Sequence, residues 1–163
     1  MIQTASRSKQ LRLLAALLSV AAGAIHVMVV PDHAQEWWGY GTFFAVAAMA
    51  QGVYGIHLAF ERWAYKDGVL RTDAERRGWP HYLVGLVANT AIIGLYAITR
   101  TAGIPFFGPE AGEVEDIGTS YLGIPYVDIP SKITEIALIL CLFVLLLRSL
   151  AASRAPMSAL PAS

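Results

Sequence analysis

The chain alternates long apolar stretches with polar connections. Four stretches stand out, at about 11–30, 41–60, 82–99 and 133–150. Each holds 18–20 residues, close to the roughly 20 that cross a hydrocarbon core of about 30 Å as a helix. Their central parts contain no Lys, Arg, Asp or Glu. A helix of this length in a water-soluble protein carries a polar stripe, and these do not. The pattern predicts an all-α fold: a four-helix transmembrane bundle in a single domain, 1–163, with a flexible tail at 155–163.

The connections differ in character. The first, 31–40, is short; Pro31 is expected to end the first helix or open an interfacial one, and Trp37, Trp38 and Tyr40 suit the headgroup layer. The third, about 100–132, is rich in Gly and Pro and carries Phe106, Phe107, Tyr121 and Tyr126. A connection over about 15 residues is uncommon in a small domain. Its aromatics predict a long, ordered extracytoplasmic loop lying over the bundle or a partner. At the N-terminus, Arg7, Lys9 and Arg12 precede an apolar run with small residues at 21–24, as in a secretory signal. The run continues past them, which favours a retained first helix.

Composition agrees with the pattern. Hydrophobic residues make up 56% and charged residues 15% of 163 residues, and mean hydropathy is +0.52. Soluble domains are near 45–50% apolar and about 25% charged. A disordered chain and a basic nucleic-acid binder are both disfavoured. A single cysteine, Cys141, leaves no intramolecular disulfide, CxxC pair or cysteine zinc cluster.

The net charge of zero conceals a strong asymmetry. Ten of the twelve basic residues lie at the N-terminus, in the 61–81 connection or at the C-terminal end. The positive-inside rule places both termini and that connection in the cytoplasm of a bacterial inner membrane, as a multi-pass protein. The opposite side holds Arg100 and Lys132 against eight acidic residues.

That acidic side also holds the candidate chemistry. His26 and His33 are seven apart at one end of the first helix, and Asp128 and Glu135 are seven apart at the start of the fourth. Seven residues are about two turns, so each pair can share a face, although Pro31 and Pro130 stand in both segments. An ionisable group at membrane depth faces the bundle interior or a partner. His26, His33, Glu36, Asp128 and Glu135 therefore form a candidate site, with Arg100 able to orient a carboxylate. The first expectation for it is a structural network, then a divalent metal site, then a proton or small-ligand site.

Other features weigh less. Glu110, Glu113, Glu115 and Asp116 cluster, but outside any EF-hand pattern, and read as solvated acids. Gln51 and Asn89 lie mid-helix and read as interhelical hydrogen-bonding groups in a supporting role, or as contacts for a carried molecule together with Tyr96. Gly52, Gly55, Gly85 and Gly94 suggest close helix approach. His57 and His81 could hold a haem between two helices, but histidine is common at such interfaces and no haem is expected. No phosphate-binding loop and no nucleophile elbow is present.

Two strings carry a resemblance: His33-Ala34-Gln35-Glu36-Trp37, and Arg100-Thr101-Ala102-Gly103-Ile104-Pro105 continuing to Gly108-Pro109-Glu110-Ala111-Gly112. With them the chain resembles a group of small bacterial four-helix integral membrane proteins that have no established activity. The resemblance implies that these outer segments matter and transfers no catalytic role. The expected function is a small non-catalytic subunit of a larger membrane complex, docking on partner subunits through its outer loop and helix faces. The alternatives are a metal- or proton-handling membrane protein and, third, a small-molecule carrier. The bilayer is the expected environment, and no nucleic-acid partner is expected.

Overall fold

A computed structural model describes residues 2–64, 77–101 and 128–154. These form four helices: α1 (Ile2–Glu36), α2 (Trp38–Ala64), α3 (Trp79–Thr101) and α4 (Asp128–Arg154). The described part is all-α, and each helix has a span long and apolar enough to cross a membrane. The long loop at about 100–132, with its acidic cluster, lies mostly outside the described residues, as does the tail at 155–163.

The helices run further than the apolar stretches. A window of apolar residues measures the membrane core, whereas a helix continues into polar turns on either side. The largest correction is at 31–40. Pro31 lies inside α1, which carries on to Glu36. Proline removes one N–H and one helical bond, and here that loss falls near the last turn. Trp37 is the single non-helical residue before α2; its N–H donates to the His33 carbonyl at 3.1 Å, and the Tyr40 N–H donates to the Trp37 carbonyl at 3.0 Å. The expected loop is thus a tight corner. Pro130 sits in the first turn of α4, where a missing N–H breaks nothing. Neither proline interrupts its helix.

The outward faces are apolar. Leu17, Met28, Val53, Val84, Ile133 and Leu140 are all exposed, as lipid-facing side chains are. The interior combines small residues with leucines: Ala15, Ala16 and Ala22 on α1, Ala47 and Ala48 on α2, Leu138, Leu142 and Leu145 on α4.

Alpha1 is the hub. It packs along α2 on one side and α4 on the other, and α4 packs on α3. The α1–α2 contact is backbone against backbone. A Cβ on Gly23 would lie 2.9 Å from the Ala48 carbonyl oxygen, and one on Gly55 would lie 2.8 Å from the Ala16 carbonyl oxygen. Gly52 and Gly94, expected to serve the same purpose, face open space. Alpha2 and α3 meet instead through long side chains, with the Tyr54 hydroxyl lying against Gly85.

Candidate functional site: a buried histidine–carboxylate pair

The register of the four helices follows from a repeat along α1. Arg12, Ser19, His26 and His33 recur every seven residues, so they lie on one face, about 10 Å apart along the axis. That face points inward: Ser19 and His26 are buried, and Arg12 and His33 are partly buried. Each position meets a distinct layer of the bundle.

At the His26 layer, near the α1–α2 corner, all four helices contribute. Glu135 of α4 and His26 of α1 are 0% and 1% exposed, and Glu135 Oε1 is 3.0 Å from His26 Nε2. The approach lies off the ring N–H direction, so the contact is an electrostatic pairing and not an aligned hydrogen bond. Glu135 Oε2 accepts a 2.6 Å hydrogen bond from Lys132 Nζ, one turn earlier on α4. Lys132 also lies over the Tyr96 ring of α3, 4.4 Å from its centroid. Phe44 of α2 meets the His26 ring edge-on at 5.3 Å.

The other predicted residues fall into a second pair. His33 Nδ1 and Glu36 Oε2 are 2.9 Å apart on the last turn of α1. Phe44 stacks on the His33 ring at 4.3 Å while touching His26 with its edge. Asp128 opens α4 and Arg100 lies near the end of α3; their side chains lie outside the described residues. Among the described residues, no three of His, Cys, Asp and Glu come together as metal ligands do.

Gln51 and Asn89 belong to the next layer, that of Ser19. Ser19 Oγ donates to the Gln51 carbonyl at 2.7 Å, Gln51 Nε2 to Asn89 Oδ1 at 2.9 Å, and Asn89 Nδ2 to the Gly85 carbonyl at 2.8 Å. They link α1, α2 and α3 to one another and do not touch the histidine–carboxylate pair. The layer beyond has Arg12 with its guanidinium 5.8 Å from the Tyr82 ring centroid. Nearby, Tyr54 Oη donates to the His81 carbonyl at 3.0 Å, and the His57 and His81 rings lie 5.2 Å apart.

Sequence reasoning placed His26 and Glu135 in one site but missed Lys132, Phe44 and Tyr96. Lys132 stands three residues before Glu135, a spacing that brings side chains together on a helix. That signal was in the sequence, but only if α4 begins before residue 132. The seven-residue repeat through Arg12 and Ser19 was a second usable signal.

Four polar atoms of the two deeper layers have no aligned hydrogen-bond partner among the described residues: His26 Nδ1 and Nε2, Glu135 Oε1 and Gln51 Oε1. All are buried. An unmet polar atom of this kind is destabilising by about 1–3 kcal/mol, and water is the usual remedy where a polar site has room. Comparison with protein families, with curated proteins and with solved structures finds no match to this chain.

Proposed function

We propose that this is a multi-pass membrane protein that takes up and releases protons at His26 and Glu135. The reading rests on one observation: a histidine and a carboxylate, both fully buried within membrane-length helices, stand 3.0 Å apart without an aligned hydrogen bond. Ionisable residues at such depth are functional by default, and histidine is the side chain suited to proton exchange near neutral pH. Lys132 holds the carboxylate from its other oxygen. In the orientation that the basic residues favour, with both termini in the cytoplasm of a bacterial inner membrane, the pair lies in the outer half of the bilayer.

A divalent metal is the alternative occupant of this end, with His26, His33, Glu36, Asp128 and Glu135 as ligands. Two features weigh against it. A cation, Lys132, already occupies Glu135 Oε2. The apolar Phe44 ring stands against both imidazoles.

Infrared titration of the reconstituted protein tests the proton reading. A carboxyl band is expected to respond to pH, to vanish in Glu135→Gln and to shift in His26→Gln. A wild-type spectrum with no titrating band that Glu135→Gln removes overturns it.

Docking on partner subunits is the second reading, and α3 favours it. Only 17% of its most apolar stretch is buried, against 28–33% in the other three helices, among the described residues. Trp79, Leu83, Val84 and Val87 are among its exposed side chains. Gentle solubilisation from the native membrane is expected to bring stoichiometric partners along; a monodisperse lone monomer overturns this reading.

A further inference from the structure

Alpha2 and α3 are joined by an unusual seam. Adjacent membrane helices commonly close through small residues, as α1 and α2 do at Gly23 and Gly55. Between α2 and α3 a series of polar contacts recurs along the junction. The seam starts towards the end of the bundle where α1 begins and α4 ends, where the exposed His57 and His81 rings lie 5.2 Å apart. Tyr54 Oη donates to the His81 carbonyl, and the same hydroxyl lies against Gly85. The Gly85 carbonyl accepts from Asn89, whose Oδ1 accepts from Gln51. The chain of contacts thus runs from one end of the bundle to its middle.

It stops one layer short of the histidine–carboxylate pair. The step from the Ser19 layer to the His26 layer is seven residues on α1, about 10 Å. No direct hydrogen bond spans that distance. The buried atoms on either side of the step are both unmet: Gln51 Oε1 below it, His26 Nδ1 above it. Two buried polar atoms without aligned partners, in neighbouring layers, are groups of the kind that bridging water serves.

We infer that a water-bridged polar seam along the α2–α3 junction, through His57, His81, Tyr54, Asn89 and Gln51, gives the His26–Glu135 pair access to the membrane face that carries the termini. The inference deepens the proton reading above and rests on it. The amides of Gln51 and Asn89 orient water and do not themselves carry the proton. A proton arriving from water binds His26 Nδ1; the proton on Nε2 passes to Glu135 Oε1. The ring returns to its neutral form as the other tautomer, and the pair has gained one proton. Among the described residues, Phe44 on α2 and Lys132 on α4 touch the pair; the charged and titratable groups one contact further out are His33 and Glu36, across Phe44, and Tyr96, under Lys132. Of these, Lys132 touches the carboxylate directly and fixes which oxygen is open to the proton.

The test uses vesicles in which the full chain is inserted in one orientation. The pH is jumped on one side at a time while the Glu135 carboxyl band is followed. In the wild type the band is expected to respond to jumps on either side. Gln51→Leu and Asn89→Leu are expected to slow the response from the terminal side at least tenfold and leave the response from the corner side unchanged. Tyr54→Phe, which removes one hydroxyl and keeps the ring, is expected to slow it in the same direction. The retained corner-side response shows that each variant is folded around the pair. A wild-type band that responds only from the corner side overturns the seam and spares the proton reading. Equal terminal-side rates in wild type and all three variants also overturn the seam. A band that responds from neither side overturns both.

Discussion

Glu135→Ala is expected to remove about 3–5 kcal/mol of stability. The reason is the position of the carboxylate and the company it keeps. Glu135 is wholly buried and holds two partners, His26 on α1 and Lys132 on its own helix. Deleting it leaves the Lys132 ammonium, itself mostly covered, without the carboxylate it binds, and takes from His26 its acidic partner among the described residues. Removing one member of a buried pair is far more damaging than removing both, because an uncompensated charge stays behind. The double change Glu135→Leu with Lys132→Leu is therefore expected to recover most of the loss. Reversible unfolding in mixed micelles measures both. A loss below about 1 kcal/mol for Glu135→Ala would show that the pair does not tie α4 to α1.

The second large effect is expected at Gly55. A Cβ there meets the backbone oxygen of Ala16 and the backbone nitrogen of Val20, neither of which can rotate away. Gly55→Leu must push α2 off α1 along their whole contact. Overpacking of this kind is destabilising by about 1–3 kcal/mol and sometimes more, and the upper end is expected because the obstacle is main chain. Separation of the two helices also takes Ser19 off the Gln51 carbonyl and Phe44 off both imidazoles. Gly52, three residues away and facing open space, supplies the control. Gly52→Ala is expected to be neutral or to gain up to about 1 kcal/mol from better helix formation. Equal stability of Gly55→Leu and wild type in the same unfolding assay would show that α1 and α2 are not in main-chain contact.

The four helices were legible because the membrane imposes a length and forbids charge within it, and both constraints act locally. Their ends were less so. The apolar stretch of the fourth helix begins at Ile133, yet the helix starts at Asp128 and so includes Lys132. That five-residue error concealed the partner of Glu135. The corner at Trp37 has the sequence of a loop, because proline, glycine and aromatics accumulate there. One proline near a helix end removes a single hydrogen bond, which is too little to break a helix whose next turns close normally. The meeting of His26 with Glu135 was half visible: a lone ionisable residue in an apolar stretch must face inward, and two such residues on different helices tend to meet. The Gln51–Asn89 bond was not visible, because residues 38 positions apart meet only once the helix register is known.

The spacing of Lys132 and Glu135 has a consequence for how the chain enters the bilayer. A lone carboxylate in a helix centre opposes insertion by roughly 2.5–3.5 kcal/mol. Glu135 carries its counter-ion one turn away on the same helix, at 2.6 Å. Alpha4 can therefore be handed to the membrane as a neutral segment before it finds α1. His26 lies on α1, which packs along α2 and precedes α4 in the chain. Alpha4 thus brings the acid to a base on a helix made before it, and the site forms when α4 packs on α1.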